Sequence, residues 1–405
     1  MIVLGIESSC DETSAAVVRD GDTLLSVVTN SSMDLHAQYG GVVPEIAARS
    51  HIECINAVIG QAITESGCTW GDIDAIAVTY GAGLGGSLLI GVLTARTLAI
   101  AYQKPLYAIN HVEGHVYANF ITKVGPNPKL ADYQPQKEQP KFRMLALIVS
   151  GGHSQLAFFR DHFDYTLLGQ TQDDAIGEAF DKVAKIIGVP YPGGPNVEKK
   201  AAEGNPHAFD FPKANMQTTS PALQELREST ATAHSAGGAG EERADSEQSD
   251  TDTRGRGETP PKKLIRSYDF SFSGVKTAVL RAAQASIGED HSFPSKDLPE
   301  RLSEVQKADI AASFQRAAIE TVVDKTLEAY DEFAPASVVI AGGVAASPAL
   351  REMLAERLPC PIAYTDRRLC TDNAAMIATL GCFHMKLNRP TADPYSLEIA
   401  PNLSM

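Results

Sequence analysis

A run of strands opens this chain and then starts again near its middle, and this recurrence restricts the fold more than any other feature. "IVLGIESS" reads as a strand, and "SAAVVRDGDTLLSVVT" as a hairpin turning at Asp20-Gly21-Asp22. "PEIAARSHIECINAVIGQAITESG" has helical spacing, with Pro44 in its first turn and Gly67 as its stop. "IDAIAVTY" is a short apolar strand, "GSLLIGVLTARTLAIAYQ" a buried helix, and "PLYAIN" a strand leading into another helix. Downstream, "FRMLALIVSGGHSQLAFFRD" and "YTLLGQT" give strands again. Helices follow at "DDAIGEAFDKVAKIIG" and "LPERLSEVQKADIAASFQRAAIETVVDKTLEAY". "SVVIAGGVAASPALREMLAERL" closes this half as a strand, a glycine turn and a helix. The pattern implies an α/β protein of two related lobes with a cleft between them.

At 405 residues the chain suits two domains better than one. One stretch fits neither. Residues 217–262, "QTTSPALQELRESTATAHSAGGAGEERADSEQSDTDTRGRGETPPK", are rich in Ser, Thr, Gly and charge and poor in large apolar groups. Such a stretch buries too little surface to offset its ordering entropy, so it reads as a disordered insertion.

The net charge of −15 argues against broad nucleic-acid binding by the chain alone. A local basic patch, or a partner that supplies positive surface, stays open. The six cysteines form no CxxC pair and read as reduced thiols of a cytoplasmic protein. "MIVLGIESSCDET" has no basic, apolar leader, and no apolar run approaches the roughly 20 residues of a membrane span, so no membrane segment is expected.

Several loops have the composition of a nucleotide site. In "GIESSCDETSAAVV" a strand enters a turn of small polar residues carrying Asp11 and Glu12. Small residues let backbone N–H groups approach a phosphate, and the acids suit orienting a metal, a water or an amine. An ordinary polar hairpin turn has the same composition. "LIVSGGHSQL" places Ser150-Gly151-Gly152 at a strand exit in the second half, at the place matching the first loop. Two such loops face each other in the phosphate clamp of actin, hexokinase and Hsp70. "VVIAGGVAASPALREML" adds a third strand–glycine–helix transition, the place of an adenosine site in that class. "GEAFDKVAKIIGVPYPGGPNVEKKA" carries Asp181 and Glu198 around a glycine turn, as a ribose contact requires. In "DFSFSGVKTAV" a Ser-Gly turn opens a helix and offers another anion contact.

"NHVEGHVYANF" sets His111 and His115 one helical turn apart on one face. The spacing suits a divalent metal and equally suits two structural histidines. Asp372, at the start of the helix in "LCTDNAAMIA", is a candidate third ligand or simply an acid favoured by the helix dipole. Two His and one Asp leave coordination positions open for a substrate.

Seven of these segments, "GIESSCDET", "NHVEGHVYA", "LIVSGGHSQL", "GEAFDKVAKIIGVPYPGGP", "DFSFSGVKTAV", "IAGGVA" and "CTDNAAMIA", together resemble the signatures of the tRNA adenosine threonylcarbamoyltransferase (TsaD) family. They stand in the family's order and span nearly the whole chain apart from the insertion. The resemblance implies an ASKHA (actin/hexokinase/Hsp70-like) fold of two ribonuclease-H-like lobes. The N-terminal lobe is expected over 1–125, completed by the C-terminal helix at about 370–405, and the C-terminal lobe over 140–365. The resemblance further implies transfer of a threonylcarbamoyl group from threonylcarbamoyl-AMP to the exocyclic amine of the adenosine 3′ of a tRNA anticodon. One divalent metal, iron or alternatively zinc, is implied on His111, His115 and Asp372. Ile148, Val149, Ser150, Gly151, Gly152, Asp181, Gly194 and Glu198 match the family's adenylate contacts. Ser347 stands where the family usually has Asn, so its nucleotide contact is altered or lost. Asp11 or Glu12 would orient or deprotonate the amine. The implied partners are tRNA, a TsaB-like paralogous subunit and a TsaE-like ATPase.

Three other readings compete. A metallopeptidase HExxH motif needs Glu directly after the first His. Here Val112 stands there, and Glu113 lies about 200° around the helix from His111. A small-molecule kinase of the same superfamily would use the loops without the His/His/Asp set. A non-enzymatic scaffold would need neither.

Overall fold

The structure is a computed structural model that describes residues 1–213, 217–218, 221–236 and 265–405. Its first sheet is built from β1 (Ile2–Glu7), β2 (Glu12–Arg19) and β3 (Thr23–Ser31), joined by hairpins, with β4 (Ala75–Gly81) and β5 (Leu106–Asn110) parallel to β1. A short β6 (Lys123–Val124) adds to β3, giving the order β5-β4-β1-β2-β3-β6. The β2–β3 turn bends at Asp20 and Gly21, both at positive φ, which matches the right-handed strand twist. A short α1 (Met33–Ala37), which the spacing did not indicate, precedes α2 (Pro44–Ser66). Gly67, at φ 72°, ends α2 as expected.

The second sheet repeats this layout. β7 (Met144–Val149), β8 (Ser154–Asp161) and β9 (Asp164–Gln170) form the antiparallel opening. In this sheet, β12 (Ser337–Ala341) and β13 (Ile362–Tyr364) add in parallel, giving β13-β12-β7-β8-β9. The five strands thus occupy the places of β5-β4-β1-β2-β3.

Helices cover the sheets. α3 (Gly85–Tyr102) lies on β4 and α2, and α4 (His111–Tyr117) follows β5. α5 (Ile176–Ile187) and α6 (Gly193–Ala201) pack in the second half with α8 (Ser273–Ser286) and the short α9 (Leu298–Arg301). The long helical stretch is broken at Leu302. Ser303 and Gln306 then form a capping box that starts α10 (Glu304–Phe333). α11 (Pro348–Arg357) follows β12, and α12 (Ala374–Lys386) returns to pack on β1, β2 and α4.

Two expectations need correction. The stretch 217–262 is ordered at its start: β10 (Gln217–Thr218) pairs with β11 (Ile265–Arg266), and α7 covers Pro221–Ala236. Leu223 and Leu226, three residues apart, enter the core and outweigh the polar composition around them. Residues 237–262 lie outside the described residues. Second, α3 is buried on one face only. Leu88, Val92, Ala95 and Ala99 face the core, whereas Leu89, Leu93, Ile100 and Tyr102 are exposed. By length and composition alone, this 18-residue helix also meets the minimum for a membrane span.

Candidate active site

The histidine helix starts where β5 ends. The side chain of Asn110 accepts hydrogen bonds from the N–H groups of Val112 and Glu113 at 2.9 and 3.3 Å and so caps α4. Its amide donates to the Ser404 carbonyl, tying the cap to the C-terminal residues. Gly114 lets α4 lie close against α12: a Cβ there would stand 3.0 Å from Ile377. That close packing brings Asp372, just ahead of α12, to the histidines. His111 Nε2 is 3.5 Å and His115 Nε2 is 3.2 Å from Asp372 Oδ1. The three ligand atoms lie within 4.8 Å of one another.

Among the described residues, Nδ1 of the buried His115 has no hydrogen-bond partner, and its Nε2 meets the Asp372 carboxylate without hydrogen-bond geometry. An orphaned buried imidazole is costly unless a ligand satisfies it. The donor set, two imidazoles and a carboxylate, therefore fits a divalent metal with open positions. Asp372 is held well below the usual carboxylate range. Burial opposes this, but the charges of His111 and His115 outweigh burial. His111 is likewise raised to about 9 against its burial, by Asp372 and Glu7.

Two residues not singled out in the sequence belong to this site. Glu7 is fully buried at the end of β1. Its Oε2 lies 3.1 Å from His111 Nδ1 and accepts a hydrogen bond from Thr79, and its Oε1 accepts from the Ser9 N–H at 2.5 Å. Burial pushes its carboxyl up, but His111 and the Ser9 hydrogen bond bring it below the ordinary value. His153 stacks obliquely 6.3 Å from His111. Burial, then the neighbouring His111 and His115, push it down to about 4. In the sequence the only signal for His153 was its place beside the Ser-Gly-Gly turn. Glu7 looked like one polar residue in a strand.

The acidic loop faces the same centre. Asp11 is buried, and Glu12 at the start of β2 is half-buried. Burial, then Asp372 and Asp11, raise the Glu12 carboxyl far above the carboxylate range, and it shares a hydrogen bond with Asp11. Ser8 and Ser87 tie this loop to α3: Ser8 donates to the Ser87 carbonyl, and Ser87 donates to the Cys10 carbonyl. Thr13 and the Cys10 carbonyl both meet His51 of α2.

The nucleotide candidates divide by environment. Ile148 and Val149 are wholly buried in β7, so their side chains are core. Ser150 is buried, while Gly151 and Gly152 are exposed, with open space where side chains would stand. Asp181 accepts from the Gly193 N–H at 2.7 Å, joining α5 to the start of α6, and Gly194 has open space beside it. A cleft of about 340 Å³ opens here between Gln38–Gly40 of the first half and Asp181, Lys185 and Tyr191 of the second. Glu198 lies farther along α6. Ser347 donates to its Oε1 at 2.7 Å and also caps α11. Serine thus bonds to the acid for which a nucleotide contact was expected. The Ser-Gly turn before α8 is already occupied: Asp173 accepts from the N–H groups of Phe272 and Ser273 and from the hydroxyls of Ser271 and Ser273. The expected anion contact there is made by the chain itself.

Glu113 points away from peptidase chemistry. It is buried, its Oε1 has no hydrogen-bond partner among the described residues, and burial raises its carboxyl to about 7, only partly countered by Arg389.

A sequence model of the family described as "TsaD: tRNA N6-adenosine threonylcarbamoyltransferase" matches residues 23–379. Similar proteins carry the name tRNA N6-adenosine threonylcarbamoyltransferase. The one from Thermomicrobium roseum is 44% identical over 385 residues, 93% of this chain and 90% of its own. That from Desulfitobacterium hafniense (strain Y51) is 42% identical over 406 residues, 100% of this chain and 97% of its own. That from Moorella thermoacetica is 39% identical over 411 residues, with the same coverage.

Proposed function

The chain belongs to the tRNA N6-adenosine threonylcarbamoyltransferase family, and from that membership we propose how its cleft carries out the transfer. It is a transferase that modifies tRNA adenosine at N6. The donor we infer is threonylcarbamoyl-AMP, and the acceptor is the adenosine 3′ of the anticodon in tRNAs that read codons beginning with A. The adenosine amine attacks the donor's carbonyl carbon, the bond from that carbon to the phosphate oxygen breaks, AMP leaves, and the amine gives up a proton.

The observation that carries this reading is the convergence of His111, His115 and Asp372 from distant parts of the chain, beside the Asp11–Glu12 loop. His111, His115 and Asp372 would hold a divalent metal, iron or zinc. When bound, such a metal polarises the carbonyl and offsets charge that develops on the oxygens. Glu12, kept protonated by burial and its acidic neighbours, donates to Asp11, which keeps an oxygen for the incoming amine. Ser150, Gly151 and Gly152 cradle phosphate, and Asp181, Gly194, Glu198 and Ser347 take the nucleoside.

A TsaB-like subunit and a TsaE-like ATPase complete the proposed system, which is cytoplasmic. The exposed stripe Leu89, Leu93 and Ile100 on α3, with Ile52 on α2, supports a protein partner on that face. The net charge of −15 supports help in docking tRNA. The test supplies threonylcarbamoyl-AMP and a tRNA reading an A-initial codon, with and without the two partners, and measures AMP release. AMP formed one-for-one with modified adenosine is expected. AMP release without modified adenosine, or phosphorylation of small molecules from ATP, would replace the reading with a hydrolase or a kinase.

A further inference from the structure

Glu7 is a completely buried carboxylate in a strand, and its contacts join three separate parts of the site. Its Oε2 lies 3.1 Å from His111 Nδ1 and accepts from the Thr79 hydroxyl of β4, while its Oε1 accepts from the Ser9 N–H at 2.5 Å. Every polar contact of this carboxylate is made inside the protein. A buried carboxylate so placed is either a structural strut or a group that sets the chemistry of the imidazole it touches.

The direction of the imidazole decides between these. His111 turns Nδ1 toward Glu7 and Nε2 toward Asp372 and His115. An ionised carboxylate only accepts hydrogen bonds, so the proton belongs on Nδ1 and the lone pair on Nε2. Ser9 Oγ also lies 3.1 Å from Nδ1, but a neutral hydroxyl is the weaker partner and accommodates either tautomer. His115 has no equivalent support: its Nδ1 makes no hydrogen bond among the described residues. Among the described residues, the charged outer support of the two histidines therefore falls on Glu7, with the Ser9 hydroxyl beside it. We propose that Glu7 is a positioning residue. Through Nδ1 it fixes His111 in the tautomer that presents Nε2 to a divalent cation, and through the Ser9 N–H it registers the acidic loop against that cation. The inference rests on metal binding by His111, His115 and Asp372.

The chemistry makes Glu7→Gln informative. An amide offers one acceptor and one donor of nearly the same shape. If its oxygen faces Ser9 N–H, its NH2 faces Nδ1 and forces the wrong tautomer. If its oxygen faces Nδ1, its NH2 meets the Ser9 N–H. Loss of a carboxylate behind a ligating histidine costs roughly 10–100-fold in metal affinity.

The experiment titrates zinc(II) into the metal-stripped full-length protein, comparing wild type, Glu7→Gln, Ser9→Ala and Asp372→Ala. The long-range proton–nitrogen NMR spectrum of histidines in the zinc-loaded wild type is recorded alongside. Zinc affinity roughly 10–100-fold weaker in Glu7→Gln, with Ser9→Ala near wild type, is expected. The spectrum should place a proton on Nδ1 of His111 and zinc on Nε2. Equal affinity in wild type and Glu7→Gln, or a larger loss in Ser9→Ala, overturns the role of Glu7 while leaving the metal site standing. Zinc binding to wild type that Asp372→Ala leaves unchanged overturns the metal site itself. Should Glu7→Gln not fold, the wild-type spectrum decides, because zinc on Nδ1 of His111 contradicts the proposal outright.

Discussion

Replacing Gly5 with alanine perturbs the site without touching any of its residues. Gly5 sits mid-strand in β1, between Ala16 and Ala77 on the neighbouring strands, with α12 pressed onto its face. A Cβ added there would lie 2.4 Å from the Ala374 carbonyl oxygen, 2.6 Å from the Ala378 nitrogen and 2.9 Å from the Ala378 Cβ. Non-bonded carbon needs about 3.5 Å, so α12 must retreat by roughly 1 Å. Two of the three clashing atoms are helix backbone, which no rotamer change relieves. Overpacking of this kind costs about 1–3 kcal/mol, and the backbone contacts place it near the upper end. At roughly 2–4 °C per kcal/mol, the melting temperature should fall by about 6–12 °C. Asp372 lies two residues before α12 and is carried with it, away from imidazoles now 3.2 and 3.5 Å distant. Zinc affinity should fall roughly tenfold or more, since a ligand displaced by an ångström loses most of its bond. The assay pairs thermal unfolding with a zinc titration against a chromophoric chelator. Gly60→Ala is the control. That glycine is exposed in α2 with open space around it, and alanine there should stabilise by up to about 1 kcal/mol. A Gly5→Ala protein with wild-type melting and wild-type zinc affinity would refute the claim that β1–α12 contact sets the site.

Ser347→Ala removes a helix cap and the hydrogen bond to Glu198; it should cost about 0.5–2 kcal/mol and raise the KM for threonylcarbamoyl-AMP more than it lowers kcat in steady-state assays. Asp11→Ala should abolish transfer while metal content by elemental analysis stays at the wild-type level, because Asp11 is outside the ligand set. Burial, with Arg389 nearby, pushes His384 down to about 4, against about 6.5 in the unfolded chain. The unfolded chain therefore binds the proton first. The contribution of His384 to stability is complete above about pH 6.5 and is lost as pH falls toward about 4, at up to roughly 1.4 kcal/mol per pH unit. His384→Phe should flatten that part of the stability–pH curve in chemical denaturation.

Local chemistry made much of the fold legible. The Asp20-Gly21 turn, Pro44 opening α2 and Gly67 closing it are all dictated by backbone preferences of single residues. The recurrence of an antiparallel opening became two sheets with the same strand order. Features that depended on distant partners were not legible. Leu223 and Leu226 sit among polar residues, and only the core they enter makes a helix of α7. Leu89 and Leu93 resemble core leucines in sequence, yet among the described residues nothing covers the side of α3 they occupy. The turn before α8 has the composition of an anion site, but Asp173, about a hundred residues away, had already filled it. The site followed the same rule. His111 and His115 announced themselves by spacing; Asp372 stood out at a helix start, as a third ligand or an acid favoured by the helix dipole, and the family resemblance chose between the two. Glu7 contacts a histidine 104 residues away, and no periodicity records such a pairing.

The central claim is that this cleft transfers a threonylcarbamoyl group to tRNA at the His111–His115–Asp372 centre. The most direct measurement is nucleoside mass analysis of tRNA after incubation with threonylcarbamoyl-AMP and the metal-loaded protein, with its partners present, for wild type and for His115→Ala. Threonylcarbamoyl-adenosine in the wild-type reaction and its loss in the variant is the outcome expected. Equal yields from both proteins, or unmodified tRNA with the wild type, would contradict it.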